Sequence, residues 1–330
     1  MMKKSFENSK VLITGGFGFI GSNLANVLVA KGADVTILDN LLVPYGGNIN
    51  NIKNIREKVK VVNGDVRDQT LVAEHVTDKD FVFHLAAQVD QKIAMDTPHV
   101  DLSINCTGTL NVLEGCRLNN SMAKVIFTSS RVTIGEPKYL PVDELHPLDP
   151  KNSYGIDKML AEKYCLMYNE VYDVKTSVLK LSNVYGPHAQ MRYPHYGTLN
   201  LFVGYALTNH SIPLYGDGLQ TRDYVYVDDV VNALLLVAEN DKSVGELFFV
   251  GSGTETSLLD IAKMIIKTAG QGEFKCVPFP PTLNRTDVKR FVTNYDKITK
   301  FLNWVPQTSL EQGITKTVKF YQENLKDYLP

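Results

Sequence analysis

Residues 14 to 24 read Thr-Gly-Gly-Phe-Gly-Phe-Ile-Gly-Ser-Asn-Leu, with glycines at 15, 16, 18 and 21. They follow the aliphatic run Val11-Leu12-Ile13 and lead into a helical pattern from Phe19 to Ala30. A strand that turns on spaced glycines into a helix has few structural uses. Gly15 permits the tight turn, Gly18 lets backbone approach a pyrophosphate, and Gly21 lets the helix lie close on the sheet. The helix start then offers free N–H groups and partial positive charge to phosphates. Asp39 ends the next predicted strand, Asp34-Val35-Thr36-Ile37-Leu38-Asp39, about 18 residues past Gly21. A carboxylate there accepts hydrogen bonds from an adenosine ribose and repels a 2′-phosphate, which predicts NAD rather than NADP.

The rhythm continues down the chain. Strands are predicted at 59–62, 81–85, 124–127 and 177–181, with helices between most of them, near 98–118 and 155–170. Strands alternating with helices indicate βαβ units, and their near-continuous apolar character fits a parallel sheet buried on both faces. After residue 185 turn residues become frequent, as in Gly186-Pro187 and Tyr215-Gly216-Asp217-Gly218, while helical patterns remain near 198–208, 227–239, 257–269 and 308–325. A chain of 330 residues also exceeds what one core usually organises. The expected fold is α/β: a Rossmann-type doubly wound parallel sheet over 1–185 that binds the dinucleotide, and a smaller C-terminal α/β substrate domain over 186–330. The 224–250 stretch is a candidate to return to the first domain.

A formal net charge of −2 points away from a nucleic-acid surface. Cys106, Cys116, Cys165 and Cys276 form no CxxC pair and have no histidines at zinc spacing, so reduced thiols and no metal are expected. No apolar run reaches the ~18 residues of a membrane span. A cytoplasmic protein with no membrane partner is the expectation.

Ser153-Tyr154-Gly155-Ile156-Asp157-Lys158 opens a predicted helix and sets Tyr154 and Lys158 on one face. A phenol, with its ordinary pKa of about 10, is a poor base near neutrality until a nearby cation favours phenolate. Lys158 can supply that cation. Ser130 follows the strand Val125-Ile126-Phe127, at the C-terminal sheet edge where ligands bind. A Tyr four residues before a Lys is commonly a solvated coincidence, so the weight rests on the combination.

That combination resembles the extended short-chain dehydrogenase/reductase family, the nucleotide-sugar epimerases and dehydratases, nearly end to end. Beside the glycine turn and Tyr154-x-x-x-Lys158, the resembling segments are Gly64-Asp65-Val66-Arg67-Asp68, His84-Leu85-Ala86-Ala87-Gln88, Asn105 with Gly108-Thr109, and Thr128-Ser129-Ser130. Further on come Asn183-Val184-Tyr185-Gly186-Pro187, the stretch from Gly216 to Asp229, and Leu302-Asn303-Trp304-Val305-Pro306. The resemblance implies that NAD contacts Gly15, Gly18, Phe19, Ile20, Gly21, Asp39, Asn40, Asp65, Val66, Leu85, Ala86, Ala87, Asn105, Ser129, Tyr154 and Lys158. It implies that a nucleotide diphosphate sugar, most simply a UDP-sugar, contacts Ser130, Asn183, Asn200, Leu201, Arg222, Tyr224, Arg285 and Asp287. Tyr154 would take a proton from a sugar hydroxyl, Ser130 would hydrogen-bond the same oxygen, and Lys158 would bind the nicotinamide ribose. Phe291 falls near the family position that limits the sugar's C2 substituent. The helices near 98–118 and 153–171 resemble those that pair in homodimeric relatives, with Leu110, Leu113, Leu160, Ala161 and Cys165 serving that interface or the chain's own core.

Departures narrow the reaction. Dehydratases of the family carry an Asp-Glu pair after the catalytic hydroxyl residue, and decarboxylases commonly a Glu at the second position. Here Arg131-Val132 stand there, which argues against both. Arg131 is read as structural, with contact to an acidic sugar as the other option. Ile134 replaces a frequent Tyr, and Lys180 a frequent Arg. NAD suits a redox-neutral cycle, so the leading expectation is an isomerase: 4-epimerisation of the UDP-glucose/UDP-galactose type. A 4-ketoreductase, a 2-epimerase, a uronic-acid 4-epimerase and a non-catalytic NAD-binding scaffold are the alternatives.

Overall fold

The computed structural model describes residues 6–42, 46–193, 196–280 and 287–329. Its strands are β1 Lys10–Thr14, β2 Asp34–Asp39, β3 Val59–Asn63, β4 Phe81–His84, β5 Lys124–Ser130 and β6 Thr176–Leu181. They continue with β7 Asn183–Tyr185, β8 Ser211–Tyr215, β9 Thr221–Tyr226, β10 Leu247–Val250, β11 Glu255–Ser257 and β12 Glu273–Val277. Seven of them form one sheet in the order β3-β2-β1-β4-β5-β6-β10. Every pairing in it is parallel.

Alternate residues of each strand point to opposite faces, and here both faces are covered. Val11, Ile13, Phe81, Phe83, Ile126 and Leu179 lie in one buried cluster, with Leu24 and Leu28 of helix Phe19–Ala30 and Val230 and Leu234 of helix Val227–Glu239. Leu12, Val82, Val125, Phe127 and Val178 lie in another, against Val112 and Cys116 of helix Gly108–Asn119 and Ala161 and Cys165 of helix Ser153–Tyr172. The fold is therefore a doubly wound Rossmann-type sheet. The strand order reverses between β1 and β4, which opens a crevice at their C-terminal ends where ligands bind in such sheets.

One expected helix differs. The 98–118 stretch forms helix Pro98–Leu102, a π turn over Ser103–Thr107, and helix Gly108–Asn119. Asn105 sits in the widened turn, where its side chain exchanges hydrogen bonds with the Gln88 backbone at 3.1 and 3.0 Å. Meeting Gln88 takes the place of regular helix, as π turns often do at functional sites.

Past β6 the chain builds two small sheets. β9 pairs in parallel with β7 and antiparallel with β11, and β8 pairs with β12. Helices Thr198–Leu207, Leu258–Ala269 and Leu310–Tyr328 pack beside them, the last started by a reciprocal capping box between Ser309 and Gln312. Between these pieces the chain goes back: β10 adds to the large sheet beside β6.

Candidate active site

The crevice beside β1 is lined by Gly15, Asp39, Asn40, Asp65, Val66, Ala86 and Ala87, seven of the residues implied for a dinucleotide. Gly15 has φ +75°, and a Cβ there would stand 2.7 Å from the Ala86 amide nitrogen. A Cβ on Gly21 would fall on the Gly15 carbonyl oxygen, so the turn and the helix touch only because both side chains are absent. Gly18 caps helix Phe19–Ala30 with no side-chain hydrogen bond, which leaves the positive end of the helix, with Phe19 and Ile20, open to an anion.

Asp39 accepts from the Phe17 amide at 3.0 Å and the Leu41 amide at 2.9 Å. Burial raises its pKa, and those two bonds oppose the rise. Each carboxylate oxygen keeps a lone pair for a ribose hydroxyl. Asp65 is more fully engaged: it accepts from the Arg67 side chain and backbone and from Asn40, and the Arg67 contact leads in lowering its pKa.

At the far end of the crevice, Asn152 caps helix Ser153–Tyr172 by accepting from the Gly155 amide at 2.9 Å. A Cβ on Gly155 would meet the Val132 carbonyl oxygen at 2.9 Å, so glycine lets this helix close on the turn after β5. That approach brings Tyr154 beside Ser130, whose hydroxyl acts on its phenol. Burial raises the Tyr154 pKa strongly, and the Ser130 hydroxyl and the charge of Arg131 act against it. Arg131, the residue after Ser130, is thus a cation acting on Tyr154.

Lys158 lies 4.3 Å over the Phe127 ring, and its ammonium makes no hydrogen bond among the described residues. Burial lowers its pKa to about 8, with Cys165, Glu162, Cys106 and Asp101 nearby acting in the opposite sense. A buried ammonium without partners fits a ligand that brings hydroxyls, such as a ribose. With the glycine cradle and Asp39, the residues present fit NAD.

A polar network underlies this surface. Thr109 donates to the Asn105 carbonyl at 2.6 Å, so it accepts from His84 Nε2 at 3.0 Å. His84 Nδ1 then accepts from Thr14 at 2.8 Å, and Thr14 in turn receives the Leu85 and Ala86 amides at 3.2 Å. Burial holds His84 neutral, with a pKa near about 3, and Lys158 adds to the depression. The network fixes the β4 end that lines the crevice. Asn105 belongs to it, and its amide is taken up by Gln88 and Asp101. Asp101 keeps one buried oxygen with no donor among the described residues, facing Asp157, whose pKa is pushed up to about 7 by burial and by Asp101. A proton shared by the two carboxyls satisfies both. Ser129 donates to Glu162, which pairs with Lys180 at 3.1 Å, both side chains almost fully buried. The sequence offered no signal for these pairings beyond ionisable residues on an otherwise apolar strand and helix stripe.

Of the residues implied for the sugar nucleotide, Arg222 is buried and holds Asp287, the Thr221 carbonyl and the Val288 carbonyl. Asn183 accepts from Arg131 at 2.6 Å. The Tyr224 phenol is buried beside the Thr198 hydroxyl. Asn200 closes both ways on the Gly186 backbone and on Tyr321, which leaves it no free donor, and Leu201 sits half-buried in the first turn of helix Thr198–Leu207. Arg285 lies outside the described residues. Phe291 is fully buried with Ile134, Val142 and Phe249, and it meets the site through the Arg131 guanidinium, 5.2 Å over its ring.

The family model for GDP-mannose 4,6 dehydratase matches residues 12–317. A UDP-glucose 4-epimerase of Mycolicibacterium smegmatis is 35% identical over 318 residues, 95% of this chain and 98% of the relative. A UDP-N-acetyl-alpha-D-glucosaminuronate decarboxylase of Bacillus cytotoxicus is 32% identical over 322 residues, 95% of this chain and 98% of that one. Among solved structures, the Thermus thermophilus UDP-glucose 4-epimerase in complex with NAD superposes with a TM-score of 0.84 at 31% identity, covering 95% of this chain and 99% of that one.

Proposed function

The chain belongs to the extended short-chain dehydrogenase/reductase family of NAD-dependent nucleotide-sugar epimerases, dehydratases and decarboxylases, and from that premise we propose that it is a nucleotide-sugar 4-epimerase. The reaction would interconvert gluco- and galacto-configured UDP-sugars through a 4-keto intermediate. One observation carries the choice: Tyr154 lies beside Ser130 and shares a buried helix stripe with Lys158, while the two residues after Ser130 are Arg131 and Val132. No carboxyl group stands there to remove water across the ring or to assist loss of carbon dioxide. The likeness to UDP-glucose 4-epimerases supports the same reading.

Bound NAD would supply a hydride acceptor that gives the hydride back. The chain's residues do the rest. Tyr154 takes the proton of the C4 hydroxyl and returns it, a role worth about 10²–10⁴ in rate. Ser130 holds the same oxygen in line. Lys158 binds ribose hydroxyls with its free donors, and Asp39 holds the adenosine ribose. Asn183, Tyr224, Arg222 and Asp287 would face the sugar nucleotide, with residues 186–330 supplying most of that side and 224–250 lending helix and strand to the dinucleotide half. We assign a homodimer to the exposed apolar side chains Met95, Leu102, Ile156 and Leu160.

The test is to incubate the NAD-loaded enzyme with UDP-, dTDP-, GDP- and CDP-linked sugars, without reductant, and to read the ring protons by NMR. Appearance of the C4 epimer supports the proposal. A 4-keto-6-deoxy product, release of carbon dioxide, or turnover only with added reductant would refute it.

A further inference from the structure

Arg131 occupies a position that structural duty does not explain. It directly follows Ser130, and its guanidinium feels Arg222, Tyr224, Asp287 and Asp223. It also acts on the Tyr154 phenol. Its only hydrogen bond among the described residues runs from Nε to Asn183. A guanidinium carries five donors, so most of this one is unused.

The surrounding acids are committed elsewhere. Asp287 pairs with Arg222. Asp223 accepts from the Ser252 amide and hydroxyl, the Gly253 amide and the Thr293 amide, all within 3.2 Å. Arg131 has no ion pair among the described residues, and it stands beside a second guanidinium in a site where burial lowers its pKa to about 9. The Tyr224 phenol, buried beside the Thr198 hydroxyl, lies under the influence of both Arg222 and Arg131. The guanidinium lies 5.2 Å over the Phe291 ring, a cation–π contact. Two cations and an idle fork form a receptor for an anion with two coplanar oxygens.

We propose that Arg131 is a specificity residue that binds a carboxylate on the sugar ring, so that the preferred substrate is a nucleotide-linked uronic acid. The inference rests on the site being one for nucleotide sugars turned over at Tyr154. A carboxylate at C6 is one bond away from the ring carbon next to C4, and Arg131 is one residue away from Ser130. The nucleotide's own phosphate is the other possible source of coplanar anionic oxygens, and the test separates the two.

Binding of UDP, UDP-glucose and UDP-glucuronate to the NAD-loaded enzyme is measured by calorimetry for the wild type, Arg131→Gln and Arg131→Lys. Gln retains a donor for Asn183 and loses the charge; Lys keeps the charge and loses the fork. The wild type should hold UDP-glucuronate at least about 10-fold tighter than UDP-glucose, a difference of the size a charge-assisted pair provides. Gln should abolish that preference and Lys keep part of it, with UDP affinity unaltered. Equal affinity for both sugars in the wild type would overturn the inference without needing any variant. A parallel loss for all three ligands in Arg131→Gln would assign the residue to the phosphates and overturn it as well. The readout is independent of the product formed. C4 epimerisation of neutral sugars with no preference for the acid leaves the proposed function standing and removes this inference, while a clear acid preference with a different product does the reverse.

Discussion

Lys158 shows what the site costs the fold at the scale of one residue. Its ammonium is buried over Phe127 without a hydrogen-bond partner among the described residues, and its pKa falls to about 8 from an ordinary 10.5. Between those values the unfolded chain binds more protons, so this group makes stability rise as pH climbs from 8 to 10.5. At pH 7 the folded protein bears the full penalty. Lys158→Met should therefore raise the Tm of the NAD-free protein at pH 7 by about 2–5 °C, flatten the alkaline part of the Tm profile, and weaken NAD binding at least about 10-fold. Differential scanning calorimetry across that pH range, with NAD titration, checks both halves. A variant that lost stability and kept its NAD affinity would show the lysine to be a structural cation. Residues also mark where sequence reading stops. The pair Tyr154 and Lys158 was legible because helix periodicity puts both on one face. The place of Arg131 was not, because the direction of its side chain depends on Asn183 and Phe291, which arrive from distant parts of the chain.

Elements explain how those residues meet. Helix Ser153–Tyr172 turns Tyr154, Asp157, Lys158, Glu162 and Cys165 inward, a stripe with ionisable groups where a plain core helix would carry aliphatics. The stripe is tolerable because Glu162 finds Lys180 and Ser129, and because Asp157 faces Asp101. The strands of the large sheet were readable as aliphatic runs, and helix Phe19–Ala30 from its glycine start. The π turn at Ser103–Thr107 and the small sheets β7-β9-β11 and β8-β12 were not, since short strands and a local widening are set by their tertiary partners and leave no periodic trace. The glycine turn gives the prediction of this scale. Gly21→Ala places a methyl on the Gly15 carbonyl oxygen, so helix and turn must separate. Overpacking of this kind costs about 1–3 kcal/mol. The variant should melt several degrees lower and lose NAD binding, while Gly270→Ala, whose Cβ would meet nothing within 4 Å though its φ is +70°, should lose stability alone. Calorimetry with and without NAD separates the two.

The whole molecule joins the large parallel sheet to the small sheets by sending the chain back, with β10 completing the large sheet after β7 and β9 have begun the small one. Ser130 at the end of β5 and Asn183 at the start of β7 then sit close enough for Arg131 to link them. The interface assigned to Met95, Leu102, Ile156 and Leu160 belongs to this scale too. Leu113, Ala161 and Cys165 are fully buried within the chain and are core, whereas Met95 and Ile156 are 54% and 44% exposed. Ile156→Lys with Leu160→Lys should halve the mass seen by light scattering, and a wild type that is already a monomer would remove the assignment. The account as a whole depends on hydride leaving C4 of the sugar and returning to it. The measurement that tests this most directly is turnover of UDP-sugar deuterated at C4, in ordinary water and without reductant, read by mass spectrometry and proton NMR. The account predicts C4 epimers that retain the deuterium at C4. Deuterium lost to solvent, or found on another carbon, would contradict it.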